Sequence, residues 1–245
     1  MLGYEPDADR PAEGRGLIDR DFLWLSAFMA AAILLRYRPN PWLRRLFLLA
    51  AAAILGWWLN LQFSTQHVFT LLGGQPPHWI LDGACFMVFA VPVLTLLFGN
   101  VYCGYVCPFG ALQELVGEVW PQPQPGKNAW RYARQLKYLL LFLLVILFAC
   151  FRDYGVLSAD PLTTLFSALR SREVLLLGVV VLVLAVPYRR FWCRNLCPAG
   201  AFLALLNKVQ LLRRVTPRPR PTHCDLGVRN LDELDCIRCD RCRHE

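Results

Sequence analysis

Four cysteines near the C-terminus have the spacing of iron–sulfur ligands. Cys236, Cys239 and Cys242 form a C-x2-C-x2-C run, and Cys224 lies twelve residues before it. Such a run can place three thiolates on three irons of one cubane, and the fourth iron needs a ligand from elsewhere. Cys224 can supply that ligand, so these four cysteines are predicted to bind one [4Fe–4S] cluster. A structural zinc site is the alternative, although four-cysteine zinc sites normally use paired C-x2-C motifs.

A second set of cysteines comes from an internal repeat. Residues 101–112, VYCGYVCPFGAL, align with residues 191–202, FWCRNLCPAGAF, and each copy contains one C-x3-C-P motif. The four thiols are Cys103, Cys107, Cys193 and Cys197. Soft thiolates that converge on one place suit an iron–sulfur centre. Two readings without metal stay open, namely structural turns and thiol redox chemistry.

Basic residues beside the second motif are expected to act on these thiols. Arg189, Arg190 and Arg194 lie within a few residues of Cys193. Positive charge near a thiol favours the thiolate, which is the form that binds metal. The sequence therefore predicts thiolate ligands in this array.

Other residues with chemical potential have simpler interpretations. Cys85 and Cys150 lie inside apolar runs and are expected to pack as small apolar side chains. His67, with Gln62 and Gln66, could line a quinone head-group site, although ordinary loop polarity explains these residues equally well. Asp82 begins an apolar run and is interpreted as a cap, with a proton relay as the alternative.

Composition indicates lipid rather than water as the main solvent. Apolar residues make up 56% of the 245 residues and charged residues only 18%, whereas soluble domains average roughly 25% charged residues. The net charge of +8 does not indicate nucleic-acid binding, because the basic residues flank apolar runs, as in proteins whose basic residues fix membrane orientation.

Five apolar runs predict the fold class, an all-α membrane bundle of about five transmembrane helices with a small cytoplasmic ferredoxin-like tail. A spanning helix needs about 20 residues, so the shorter runs require flanking groups such as Arg36, Lys137 and Arg172 to reach the interface. The runs are 22–35, 46–63, 79–98, 138–151 and 174–188. The predicted domains are a polar periplasmic segment (1–21), the bundle with two cytoplasmic C-x3-C-P loops (22–212) and a cytoplasmic iron–sulfur tail (213–245).

The charges between the runs predict a location and an orientation. The turn at 36–45 carries four arginines, residues 64–78 carry no Asp, Glu, Lys or Arg, and the stretch from 189 to 221 carries eight basic residues and no acidic one. Basic loops lie on the cytoplasmic side of bacterial membranes. We therefore expect a multi-pass protein of the bacterial inner membrane with its N-terminus outside and its C-terminus in the cytoplasm.

These motifs resemble the NosR/NapH family of membrane-bound iron–sulfur proteins. The resemblance lies in residues 102–115 and 190–201, which contain the paired C-x3-C-P motifs, and residues 58–65 and 235–242 are similar to the NosR branch in particular. NosR-type proteins carry a flavin domain before the apolar runs and eight cysteines in a two-cluster ferredoxin module. This chain has neither feature, so no flavin site is expected in it.

The resemblance implies a function. Members of the family pass electrons from the quinol pool or a cytoplasmic donor towards a periplasmic or membrane redox partner. A separate flavin-bearing subunit, membrane lipid and quinol are the partners that it implies. The alternative is a redox-sensing regulatory or metalloenzyme-maturation factor without turnover of its own.

Overall fold

The computed structural model describes residues 19–38, 40–74, 82–120, 129–151, 163–166, 172–214, 216–217, 224, 228 and 234–243. Most of the predicted periplasmic segment, up to residue 18, lies outside the described residues.

The described chain is helical. The α-helices are α1 (Arg20–Tyr37), α2 (Pro41–Ala50), α3 (Thr65–Gly73), α4 (Gly83–Cys85), α5 (Val91–Phe98), α6 (Pro108–Val116), α7 (Ala129–Phe151), α8 (Arg172–Ala185), α9 (Phe191–Asn195) and α10 (Pro198–Lys208). Three π-helical segments lie at Ala51–Trp58, Phe86–Ala90 and Tyr102–Val106, and two 3-10 turns lie at Thr163–Phe166 and Arg241–Arg243.

Local sequence determines where several of these helices begin. The Asn40 side chain accepts hydrogen bonds from the amides of Trp42 and Leu43, and Pro41 occupies the first position of α2, where a missing N–H costs nothing. Ser64 and His67 form a reciprocal capping box at the start of α3. Asp82 occupies the N-cap position of α4 but makes no side-chain capping bond there.

The core lies where α1, the three π-helical segments and α10 meet. Tyr102 and Tyr105 are only 2% exposed and pack in one cluster with residues of these elements. A smaller apolar cluster contains Phe109 of α6, Leu165 of the first 3-10 turn and Val181 of α8. The segment that carries the first C-x3-C-P motif is therefore surrounded by packed side chains.

The prediction of a membrane bundle with about five transmembrane helices is wrong. Within the part of the chain that the structure describes, no helix is both long enough and apolar enough to cross a bilayer. Helix α1 carries charged residues at both ends, namely Arg20, Asp21 and Arg36. Helix α8 has 14 residues, which at 1.5 Å per residue gives about 21 Å against a hydrocarbon core of about 30 Å. The predicted location, sidedness and domain boundaries stay predictions.

Two of the predicted interfacial side chains are instead buried in ion pairs with the C-terminal segment. Nε of Arg36 lies 2.8 Å from Oδ2 of Asp240, and both side chains are almost fully buried. Nζ of Lys137 lies 2.5 Å from Oδ1 of Asp235. The sequence reading missed these contacts because the partners are distant in sequence. Their consequence is that residues 234–243 pack against the helices rather than apart from them.

Candidate iron–sulfur site

One cavity brings together the four cysteines of the repeated motifs. It is partly open to solvent and is lined by Cys103, Cys107, Cys193 and Cys197. Tyr102, Asn100, Lys137 and residues from α10 also line it. The structure thus places both copies of the repeat at one site, with four soft sulfur donors around a common space.

Each motif has the same local construction. A short helical segment ends before the second cysteine, and the proline that follows begins a new helix. In the first copy, the π-helical segment ends at Val106 and α6 begins at Pro108. In the second copy, α9 ends at Asn195 and α10 begins at Pro198. Cys107 and Cys197 therefore occupy N-cap positions, and the Cys197 sulfur accepts a capping hydrogen bond from a free backbone N–H group.

Hydrogen-bond donors reach the sulfurs of Cys197 and Cys193. The amide of Gly200 donates to Sγ of Cys197 at 3.2 Å. Nε2 of Gln113 donates to Sγ of Cys193 at 3.3 Å. Donors to ligand sulfur stabilise added negative charge and tune the potential of a bound cluster. Gln113 is fully buried and was not singled out by the sequence, because nothing in its spacing marks it as a site residue.

The three cysteines of the C-terminal run are buried in the tail segment. Cys236, Cys239 and Cys242 are 7–8% exposed, and Cys224 is half-buried. The backbone between them turns through left-handed conformations at Arg238 (φ 52) and Asp240 (φ 57). Such conformations cost roughly 1–3 kcal/mol each at residues other than glycine. Both side chains have buried partners. Nη2 of Arg238 donates to Oε1 of Gln210 at 2.7 Å, and Nε of Arg36 donates to Oδ2 of Asp240 at 2.8 Å.

The donor set of the C-terminal run also suits an anionic group. Nη2 of Arg44 and Nε of Arg238 are buried without a hydrogen-bond partner among the described residues. Arg44 donates through Nε to the Cys239 carbonyl at 2.9 Å, so one of these unsatisfied groups belongs to a side chain at the array. Among the described residues, no three His, Cys, Asp or Glu side chains lie close enough to hold a single metal ion. A cubane places each thiolate on a different iron, so its ligands stand farther apart than those of one ion.

The remaining cysteines and His67 have separate settings. All ten cysteines lie in the described part of the chain, and none of them forms a disulfide. Cys85 is half-buried, whereas Cys150 is exposed, so the prediction of apolar packing is wrong for Cys150. His67 stacks on Phe63, and burial lowers the pKa of His67 to about 4. Its proposed quinone role stays a prediction.

Burial dominates the electrostatics of the cysteine arrays. It raises the pKa of Cys193 and of Cys239 to about 12 and raises that of Cys103 further. The positive charge of Arg190 lowers the pKa of all three thiols and so opposes the effect of burial. Arg44 also lowers the pKa of Cys239, and Lys137 lowers that of Cys193. The expectation that neighbouring arginines keep these groups as thiolates is therefore wrong for the metal-free chain, because burial outweighs these basic groups. Arg189 instead donates to the Gly117 carbonyl.

These raised pKa values predict that the cluster-free chain loses stability in alkali. Below the unfolded thiol pKa of 9.0, both states hold their protons and the stability contribution is complete. Above it, the unfolded chain releases protons that the folded chain keeps, so the free energy of unfolding falls towards the folded pKa values of about 12. Anaerobic urea denaturation at pH about 8 and about 10 measures this fall.

The matched control for the alkaline loss replaces Cys103, Cys193 and Cys239 together with serine. Serine does not titrate in this range, so the triple variant should show a smaller fall between the two pH values. An equal fall in both proteins would contradict the assignment of the effect to these thiols.

A buried carboxylate lies between the two arrays. Glu114 has no exposed surface and pairs with Arg44, Arg190 and Arg241 at 2.5, 2.5 and 3.3 Å. The guanidinium groups of Arg44 and Arg190 lower the pKa of Glu114 well below its usual range, although burial opposes them. The sequence reading missed Glu114, since its partners are 70, 76 and 127 residues away and no local pattern identifies them.

Comparison with known proteins gives these motifs a family. A family model described as a 4Fe-4S binding domain matches the chain twice, at residues 83–128 and 173–219. Each match contains one C-x3-C-P motif. The chain belongs to the NosR/NapH-like family of iron–sulfur proteins. The predicted family is thereby confirmed, and an iron–sulfur cluster is its cofactor. The cysteines at 236–242 lie outside both matched segments.

Relatives of this NosR/NapH-like chain include a regulatory protein and a ferredoxin-type protein. The protein NirI of Paracoccus denitrificans is 30% identical over 236 residues, which are 84% of this chain and 35% of NirI. The regulatory protein NosR of Stutzerimonas stutzeri is 29% identical over 185 residues, 69% of this chain and 26% of NosR. The methylamine utilization ferredoxin-type protein MauN of Paracoccus denitrificans is 28% identical over 207 residues, 75% of this chain and 71% of MauN.

The NosR/NapH-like chain covers different fractions of its relatives' lengths. It spans about a third of NirI and about a quarter of NosR. No solved structure matches the chain. The relatives therefore support iron–sulfur electron transport or regulation as a class.

Proposed function

We propose that this chain is an iron–sulfur electron carrier that holds one cluster in the cavity of the repeated motifs. The supporting observation is that Cys103, Cys107, Cys193 and Cys197 line one space although 94 residues separate the first from the last. Packed side chains around most of that space lower the local dielectric, which is one of the protein's means of setting a cluster potential. A bound cluster supplies reversible one-electron chemistry.

A second [4Fe–4S] cluster is proposed at the C-terminal run. Its ligands are Cys236, Cys239 and Cys242, with Cys224 as the fourth. The proposal is supported by the C-x2-C-x2-C spacing and by the unsatisfied N–H groups of Arg44 and Arg238 beside this run.

The residues around the first site have separate roles in this proposal. Gln113 and the Gly200 amide donate to ligand sulfurs and stabilise the reduced state. Lys137 lines the cavity and is held by Asp235, so its positive charge stays beside the thiolates. Tyr102 closes one wall and receives a hydrogen bond from the Phe63 amide at 2.7 Å. None of these groups exchanges a proton in electron transfer.

Iron and acid-labile sulfide analysis of the anaerobically purified chain tests both sites. Two cubanes predict about eight irons and about eight sulfides per chain. Serine at all four cysteines of either array should reduce both values to about four. The matched control is serine at Cys85 and Cys150, which should leave them unchanged. Zinc without iron would reject the proposal, and no change in the motif variant would reject the cavity as a site.

A regulatory role is the second candidate, and the similarity to NosR, a regulatory protein, favours it. In that role the clusters report redox state without sustaining turnover. The two functions differ in the rate at which a donor reduces the clusters. Stopped-flow mixing with a reduced ferredoxin, and separately with a quinol, should reduce a carrier within a turnover time. Reduction by dithionite alone would favour the regulatory role.

A further inference from the structure

The two cysteine arrays are in direct backbone contact. Gly104 lies between Cys103 and Cys107, and Ile237 lies between Cys236 and Cys239. A Cβ atom on Gly104 would collide with the Ile237 carbonyl oxygen and would lie 3.3 Å from the Arg238 carbonyl carbon. Ile237 also lines the cavity that holds the other four cysteines. No side chain or solvent layer separates the two motifs at this point.

A buried asparagine pair joins one motif to the other by hydrogen bonds. The Cys103 amide donates to Oδ1 of Asn100 at 3.3 Å, and the Asn100 amide donates to Oδ1 of Asn207 at 3.2 Å. Nδ2 of Asn207 then donates to the Cys236 carbonyl at 3.1 Å. The two asparagines are 1% and 6% exposed, so this route is shielded from water.

A buried ion network makes a second connection. Arg190 donates to the carbonyls of Cys103 and Gly104 and through Nε to Oε2 of Glu114 at 2.7 Å. Oε1 of Glu114 pairs with Arg44, whose Nε donates to the Cys239 carbonyl. Both routes therefore link a ligand residue of the first array to a ligand residue of the second.

We propose that the two arrays form one electron-transfer unit, in which an electron passes directly between their clusters across the Gly104–Ile237 contact. This inference rests on the two sites of the proposed function. One electron is exchanged per step: the donor site is oxidised by one electron and the acceptor site is reduced by one. No proton, ligand or bond changes place. The two buried arginines exceed the one carboxylate in charge, and this excess favours an added electron at either site.

The Asn207 side chain is a positioning group in this unit. It accepts a hydrogen bond from the Asn100 amide and donates one to the Cys236 carbonyl. It therefore fixes the distance between the motifs through backbone groups rather than through sulfur. Replacement by aspartate keeps the size and the acceptor but removes the donor to Cys236. That change should weaken the coupling between the sites and leave the iron content unaltered.

Electron paramagnetic resonance of the full-length chain with both sites loaded tests the proposal. Dithionite titration first reduces the site of higher potential and then both sites. If the sites are coupled, the doubly reduced spectrum is broadened or split and is not the sum of two single-cluster signals. The wild-type titration needs no variant, so a folding defect cannot hide the result. In Asn207→Asp the broadening should decrease at the same iron content.

Iron content and magnetic broadening together distinguish three outcomes. About eight irons with magnetic broadening supports the coupled pair. About eight irons with two additive signals overturns this inference and leaves the proposed function intact. About four irons or fewer removes one of the sites, and the proposed two-site function then fails together with the coupling.

Discussion

Replacement of Glu114 with glutamine should lower the free energy of unfolding by about 3–5 kcal/mol, the range found when one partner of a buried ion pair is removed. Glu114 is the buried carboxylate that neutralises Arg44 and Arg190, whose side chains are 5% and 0% exposed. Glutamine keeps the shape but loses the charge, so two buried guanidinium groups remain without their counterion. Urea denaturation of both proteins, prepared in the same loading state, measures the difference.

Glu118→Gln is the matched control for this prediction. Glu118 also pairs with arginines, at 3.0 Å to Arg45 and 3.0 Å to Arg241, but its side chain is 22% exposed and that of Arg45 is 46% exposed. Pairs accessible to solvent contribute about 0–1 kcal/mol. Equal losses in the two variants would contradict the view that burial, rather than pairing as such, makes Glu114 important.

The Glu114 effect should also depend on pH. The folded pKa of this carboxyl is lowered, so its contribution is complete above the unfolded value of 4.5 and is lost as the pH falls below it. The difference between wild type and Glu114→Gln should therefore shrink as the pH falls below 4.5. A constant difference would indicate that the glutamine disturbs packing rather than charge.

Gly104→Ala should produce the second large effect, a loss of about 1–3 kcal/mol in the free energy of unfolding, as found for overpacked sites. The new methyl group meets the backbone carbonyl of Ile237, which cannot rotate away as a flexible side chain could. The segment between Cys103 and Cys107 must therefore move away from residues 237–238. The magnetic interaction between the two clusters should weaken in the same variant.

Gly200→Ala is the matched control in the other copy of the repeat. Its Cβ would lie 3.4 Å from Sγ of Cys197 and 3.5 Å from the Cys193 carbonyl, which are ordinary contacts. Because Gly200 lies in α10, alanine should be neutral or stabilising by up to about 1 kcal/mol. Similar losses in the two variants would show that Gly104 has no special contact to preserve.

The two motif copies differ in the residue that follows the first cysteine. The residue after the first cysteine is Gly104 in one copy and Arg194 in the other. The repeat therefore permits a large side chain at this position, and only the copy that packs against the C-terminal run requires glycine. The repeat alignment contains this asymmetry, but its meaning becomes clear only when residues 237–238 are placed beside it.

The prediction of five transmembrane helices failed for a reason specific to this chain. Apolar composition and basic loops were interpreted as spans and interfacial anchors. Arg36, Arg44 and Lys137 are instead buried and pair with Asp240, Glu114 and Asp235. A count of charges between apolar runs cannot distinguish a basic residue at an interface from one whose acidic partner is 70 or more residues away.

The amino-acid sequence alone determined the helical class, the two cysteine arrays, the repeat and the family, because these depend on residue types at short, fixed separations. Only the tertiary structure showed that the four cysteines of the repeat line one cavity, that burial keeps several thiols protonated, and that Glu114, Asn100 and Asn207 connect the two arrays. Those features depend on contacts that join distant parts of the chain, such as Asn100 with Asn207 and Glu114 with Arg190, or on burial, and no local pattern in the chain encodes either of them.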